Sequence, residues 1–296
     1  MFKTVLAHLT GTDCDPSVLT TALQLVRPFA GHMECLRVAA DPGALVAQAM
    51  PFETGMGMTS ILADVLSKIE QQGDERTKRA RLTMSEFCKA KDIAYADTPP
   101  GPGDVSAAWQ ERKGADDCDE VVAAARFHDL VVLAGGPERT GRLPAELLGD
   151  VVIGAGRPVV LAPMNPSKEP IKTVAIAWKD TAEAARALAA AMPLLAKAQR
   201  IEILSANEND GQVSHCLDCS ESVVRQLRWH GLNATTHFIL PAGRSVPDAI
   251  LETAHGLHAD LLVMGGYGHG RLREFVFGGF TRRILNGADL PVFLFH

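Results

Sequence analysis

The sequence predicts an α/β protein built as two doubly wound, mainly parallel-sheet domains in tandem. Three observations carry this expectation. Short apolar runs alternate with helical patterns along most of the chain. Three of those runs recur in the same order: Lys3-Thr4-Val5-Leu6-Ala7 as Lys172-Thr173-Val174-Ala175-Ile176, Asp129-Leu130-Val131-Val132-Leu133 as Asp260-Leu261-Leu262-Val263-Met264, and Arg157-Pro158-Val159-Val160-Leu161 as Leu290-Pro291-Val292-Phe293-Leu294. Between the copies lies Pro163-Met164-Asn165-Pro166-Ser167-Lys168-Glu169-Pro170, whose three prolines keep helix and sheet from crossing it. Duplication explains the pattern better than chance, and it places the domains at 1–165 and 166–296.

The second copy reads in order as a strand over 171–177, an alanine-rich helix over 181–198 interrupted at Pro193, a strand over 200–205, a helix near 214–230 and a strand over 234–240. A helix near 245–258 follows, then the strand 259–264, and a last helix and strand. Parallel strands need crossover connections, and the helical segments supply them on both faces of the sheet. The closing strands, 158–162 and 290–295, are short and follow a proline, as edge strands do. Such apolar edges want partners, so the two copies are expected to pair as an intramolecular pseudo-dimer, with a homodimer as a further option. The first copy is longer. Its extra length, around 40–115, reads as a helical excursion with a long charged helix near 60–91 and a proline- and glycine-rich run at 99–103.

Composition excludes several classes. The 296 residues are 47% hydrophobic, 22% charged and 5% aromatic, with a formal net charge of −6. That balance points away from nucleic acid and anionic membrane as partners. No apolar stretch is long enough to span a membrane, and no cleavable leader is read at the amino terminus. The six cysteines are too scattered for a disulfide framework, so a reducing cytoplasmic setting is expected.

The most informative stretch follows the strand 259–264. Gly265-Gly266-Tyr267-Gly268-His269-Gly270-Arg271 is a loop with four glycines in its first six residues, and Gly278-Gly279-Phe280-Thr281 then opens a helical pattern. A strand, a glycine-rich turn and a helix start bring main-chain amides together where an anion can sit. Glycine at such a turn also serves backbone freedom alone, and both readings stand. The spacing fits neither a Rossmann dinucleotide loop nor a P-loop, which needs a lysine after its glycines.

These residues resemble the universal stress protein family, and the chain looks like two such units in one polypeptide. The resemblance rests on Met264-Gly265-Gly266-Tyr267-Gly268, Arg271-Leu272-Arg273-Glu274, Gly278-Gly279-Phe280-Thr281 and the closing Leu290-Pro291-Val292-Phe293-Leu294. It covers nearly the whole chain and is stronger over 171–296. It implies a Rossmann-like fold of the adenine nucleotide α-hydrolase type and a role in stress response through binding. ATP, with Mg²⁺ arriving alongside it, is the implied cofactor of the second unit only. Family members that bind ATP carry Gly, two residues, Gly, nine residues, then Gly with Ser or Thr. Gly265, Gly268 and Gly278 fit, while Gly279 departs at the hydroxyl position.

By the same resemblance Gly265 and Gly268 would line ribose and phosphates, with the amides of His269 and Gly270 and the side chain of Arg271 toward the anion. Gly278, Gly279 and Phe280 would let the backbone approach, and Thr281 would add a hydroxyl. The aspartate that holds adenosine in nucleotide-binding members falls at Lys179, which cannot accept a hydrogen bond. In the first unit the matching turn, Ala134-Gly135-Gly136-Pro137-Glu138-Arg139, lies too far from Gly149, and Thr10 ends the first strand; no nucleotide is expected there.

Other constellations are weaker. Cys216 and Cys219 suggest a soft-metal or thiol-redox pair but lack a matching second pair. His255 and His258 have ligand spacing on a helix, although histidine near a helix end is favoured by the dipole alone. Arg271, Arg273, Arg282 and Arg283 draw in phosphate or pair with surface acids such as Glu274. No catalytic site is recognisable, and any ATP hydrolysis would be slow. The alternatives are a nucleotide-independent interaction scaffold working through 40–115, or a metal or redox protein.

Overall fold

The computed structural model describes residues 1–49, 59–98, 104–115, 117–135, 145–206, 213–266 and 279–296. In the amino-terminal half the elements are β1 (Thr4–His8), α1 (Asp15–Val26), β2 (His32–Ala40), α2 (Pro42–Ala49), α3 (Thr59–Lys91), β3 (Ala94–Tyr95), β4 (Ser106–Gly114), α4 (Asp117–Ala125), β5 (Leu130–Ala134), α5 (Ala145–Gly154) and β6 (Val159–Ala162). The carboxy-terminal half adds β7 (Thr173–Trp178), α6 (Ala182–Leu195), β8 (Arg200–Ala206), α7 (Val213–Trp229), β9 (Thr235–Ile239), α8 (Val246–Gly256), β10 (Leu261–Gly265), α9 (Gly279–Gly287) and β11 (Val292–Phe295).

The strands form one eleven-stranded sheet in the order β3-β4-β2-β1-β5-β6-β11-β10-β7-β8-β9. Every pairing is parallel except β6 with β11, which run antiparallel with Phe293 opposite Val160. Read outward from that seam, both halves have one order: β6-β5-β1-β2-β4 on one side and β11-β10-β7-β8-β9 on the other. The mainly parallel, doubly wound fold is thus as the sequence predicts, with one difference. The short strands after a proline are not edges of the molecule. Each would be the edge of its own half, and their apolar runs bury each other at the centre of a single sheet.

Two apolar layers sandwich this sheet. One cluster runs through α1, α3, α6 and α7, with Leu19, Met84, Leu188 and Leu227 buried; the other runs through α4, α5, α8 and α9, with Val121, Leu147, Ile250 and Ile284 buried. Both clusters cross the seam without a break. Alternation along the strands explains the division: in β1, Val5 and Ala7 face the first layer and Leu6 the second.

The halves share a fastening at matching places. The Asp129 carboxylate accepts the backbone amides of Lys3 (2.7 Å) and Thr4 (3.1 Å), and Asp260 accepts those of Lys172 and Thr173, both at 2.8 Å. A hydrogen bond to a charged group contributes about 1.5–3 kcal/mol, so each aspartate fixes where a first strand begins. The proline-rich connection lies along α1: Ser17 donates to the Met164 carbonyl (2.7 Å), and Gln24 donates to the carbonyls of Ser167 (2.7 Å) and Glu169 (2.5 Å).

The segment 40–115 is not a helical excursion. β4 hydrogen-bonds along all of β2, and α3 contributes buried Ala80, Met84 and Cys88 to the first layer. Deleting the whole segment would remove two sheet strands, β3 and β4, and part of the core. Among the described residues, α2 and the two-residue β3 are additional to the pattern of the other half. α8 ends at Gly256, and His258 has a left-handed φ of 52°. His255 and His258 therefore do not share a helix face; His255 instead meets Asp289 at 3.4 Å on the surface.

One part-buried hydrogen-bonded pair yields a pH prediction. Glu34, on β2, accepts from His128 Nε2 (3.2 Å), whose Nδ1 lies 2.9 Å from the Ala124 carbonyl. The hydrogen bond from His128 is the main cause holding the Glu34 carboxyl below its ordinary range, against the opposing effect of burial. A depressed carboxylate contributes stability above its unfolded value, about 4.3, and loses it as pH falls through the lower folded value. Wild type should exceed Glu34→Gln in stability by about 1–2 kcal/mol at pH 7. Urea unfolding followed from pH 7 to 3 should show that gap closing.

Candidate functional site

In the carboxy-terminal half, chain order reverses between β7 and β10, which leave for β8 on one side and β11 on the other. Parallel sheets hold ligands outside the carboxyl ends of strands at such a reversal. The glycine-rich loop leaves β10 at this point. Gly265 lies so close to α6 that a Cβ there would sit 2.6 Å from the Ala184 amide nitrogen and 2.7 Å from the Glu183 carbonyl carbon. The helix start itself is capped by Thr181, whose hydroxyl accepts from Ala184 N at 3.3 Å. Gly266 continues the ladder by donating to the Phe295 carbonyl (2.9 Å), and its own carbonyl lies 3.2 Å from His296 Nδ1.

Lys179 follows the last residue of β7 and is exposed, with its carbonyl accepting from Thr181 N at 2.8 Å. Gly279 opens α9, and no described residue lies within 4 Å of where its Cβ would point. Phe280 packs on the second apolar layer, and Thr281 is buried. Both are thus engaged with the protein interior, which accounts for them without a ligand. Gly268, His269, Gly270, Arg271 and Gly278 lie outside the described residues. Arg283 is a surface pairing residue: its Nε meets Asp248 Oδ1 at 2.7 Å. That contact and the Ser245 hydroxyl hold the Asp248 carboxyl below its ordinary value.

The amino-terminal half treats the same place differently. Ala134 stands where Gly265 stands, and Gly135, like Gly266, donates to the neighbouring strand, here to the Ala162 carbonyl at 2.8 Å. α5 is already helical at Ala145, so Gly149 lies inside it and does not open it. At the end of β1, the Asp15 carboxylate takes the amides of Thr10 (2.9 Å) and Gly11 (2.9 Å). Burial raises the Asp15 pKa, and these hydrogen bonds oppose the rise. Gly11, at φ 73°, lies against α3, where a Cβ would meet the Arg76 carbonyl oxygen at 2.3 Å. The chain's own carboxylate and helix therefore occupy this end of the sheet. The sequence reading missed Asp15, although an aspartate four residues after a strand-ending glycine is a local signal for a carboxylate folding back on amides.

Cys216 and Cys219 both lie on α7, and Cys219 is half-buried. Among the described residues, no group of three or more His, Cys, Asp or Glu side chains is placed to hold a metal ion. A cleft of about 670 Å³ opens at the opposite pole, between the end of α1 and the end of α6, with Arg27, Phe29, Pro193 and Lys197 among its walls. It does not reach the carboxyl ends of the strands. No helix among the described residues is long and apolar enough to cross a membrane.

The fold defines an α/β protein of the doubly wound class, with a glycine-rich sequence leaving its sheet at a strand reversal. Residues 229–296 match the Universal stress protein family. The whole chain is similar in fold to a universal stress protein from Archaeoglobus fulgidus DSM 4304, at 15% identity and a TM-score of 0.64, covering 99% of this chain and 95% of that one. It is also similar to a functionally unknown protein from Pseudomonas aeruginosa PAO1, at 14% identity and a TM-score of 0.56, covering 99% and 92%. No curated protein matches the chain in sequence.

Proposed function

We propose that the chain is a tandem stress-response protein with units at 1–165 and 166–296, acting by binding, and that only the second unit holds ATP or a related nucleotide. The observation that carries this reading is the glycine spacing of 265, 268 and 278, set directly after a buried parallel strand at the reversal point of a unit that matches the family. Gly279 supports it, since no described residue lies within 4 Å of where its Cβ would point. In this reading the amides of Gly268, His269 and Gly270 face the phosphates, and Arg271 and Lys179 supply positive charge. Lys179 shifts recognition from the nucleoside toward the phosphates, because an ammonium donates and does not accept. The nucleotide brings Mg²⁺ with it, and any hydrolysis is slow. The protein works in the cytoplasm.

Labelled ATP titrated against wild type and Gly268→Val tests the reading. Wild type should retain nucleotide, and the valine variant should bind at least roughly tenfold more weakly, because its side chain enters the amide-lined turn. Equal retention by both, or none by either, removes the nucleotide from the proposal.

A further inference from the structure

The cleft of about 670 Å³ lies where equivalent turns of the two halves meet. Counting back from the paired starts of β2 and β8, Phe29 corresponds to Lys197 and Pro28 to Ala196. One turn thus offers an aromatic ring where the other offers an ammonium group. Pro193 and Leu232 extend the apolar wall, and Arg27 adds a second cation. Among the described residues no acidic side chain lines the cleft, and no carboxylate pairs with Arg27 or Lys197.

The apolar wall is fixed in advance. The Lys3 ammonium donates to the carbonyls of Phe29 (2.6 Å) and Ala30 (3.2 Å), and Ala30 turns the chain at a left-handed φ of 46°. The Phe29 ring meets Phe2 edge-on at 5.8 Å. Across the cleft, the Leu232 amide donates to the Leu227 carbonyl at 3.0 Å. Walls held this way spare a ligand the cost of ordering them, and the volume falls within the roughly 300–1,000 Å³ of small-molecule sites. Charge narrows the choice further. The end of α6 opposes an anion by roughly half a negative charge, while the end of α1 is already met by Lys3. Arg27 and Lys197 outweigh that by roughly one and a half charges, which answers one carboxylate and falls short of a doubly charged phosphate.

We propose that this cleft binds a small amphipathic monocarboxylate, with its apolar body against Phe29, Pro193 and Leu232 and its carboxylate answered by Arg27 and Lys197. An apolar body alone would gain burial and leave both cations unanswered. A bare carboxylate would meet the cations and leave the wall wet. The walls come from both halves, so the ligand spans the seam at the pole away from the glycine loop.

Calorimetric titration of the full chain with octanoate is the test, with octanol and acetate as its apolar and charged parts taken separately. One saturable equivalent of octanoate is expected, with octanol several-fold weaker and acetate not saturable. Arg27→Gln and Lys197→Gln should each weaken octanoate several-fold, and together roughly tenfold or more, while leaving octanol unchanged. Ala196→Trp fills the cleft from its wall and should abolish binding of both. All three positions are exposed, so the thermal midpoints without ligand should stay at the wild-type value. In wild type, the NMR signal of the Met192 methyl group, also on the wall, should shift in step with saturation, a readout that needs no variant. Absence of saturable octanoate binding overturns the proposal, as does octanol that binds as tightly as octanoate. Binding that Ala196→Trp spares, or a Met192 methyl silent at saturation, also overturns it. A concentration-dependent dimer that Ala196→Trp disperses would give the cleft to a second copy of the chain, and overturns it too.

Discussion

Replacing Phe293 with alanine is expected to cost about 3–5 kcal/mol, the usual range for a fully buried aromatic side chain. Phe293 has no exposed surface, stands on β11 opposite Val160 of β6, and meets the Phe2 ring at 6.4 Å between centroids. It therefore joins strands of both halves at the one antiparallel pairing among the described strands. The cavity should weaken the whole chain and not one half, because both apolar layers run across the seam. Chemical unfolding followed by tryptophan fluorescence checks this, since Trp109 lies on β4 and Trp178 on β7. A single transition, shifted by that amount whether Trp109 or Trp178 is followed in variants that keep one of them alone, is the expected result. Two transitions, only one of them shifted, would show that the halves unfold independently.

The second large effect is at Gly265. Alanine there would place a methyl carbon 2.6 Å from the Ala184 nitrogen and against backbone on both sides of it, so β10 and α6 must separate. Overpacking of this kind costs about 1–3 kcal/mol. Gly279→Ala is the informative contrast, because its methyl group meets no described residue within 4 Å. Its stability should stay within about 0.5 kcal/mol of wild type, while its nucleotide retention falls if phosphate approaches that backbone. Thermal unfolding and nucleotide retention measured on both variants separate a glycine kept for packing from one kept for a ligand.

Much of the fold was legible because burial on both faces writes itself as apolar runs, as in Leu130-Val131-Val132-Leu133 and Leu261-Leu262-Val263-Met264. β4 was not, because Trp109-Gln110-Glu111-Arg112-Lys113 lies toward one side of the sheet and is half-exposed, which leaves no clean alternation. Pro193 reads as a helix breaker yet sits inside α6. The carbonyl it leaves without a donor belongs to Ala189, on an exposed residue, where water can satisfy it. Of the candidate site, the strand and the helix start were readable from glycine spacing, and the close contact of Gly265 with α6 was not, since it joins residues far apart in sequence. The cleft between the ends of α1 and α6 was invisible for the same reason.

The antiparallel union of β6 and β11 has a consequence for how such a molecule can change. In an assembly of two identical subunits, every substitution arrives twice, and a crevice altered in one is altered in the other. A covalently joined pair escapes that rule, because each end of the chain mutates alone while the shared interior keeps both folded. Asp15 folded back on Thr10 and Gly11 on one side, and an undisturbed run of glycines on the other, are the kind of divergence that such freedom permits.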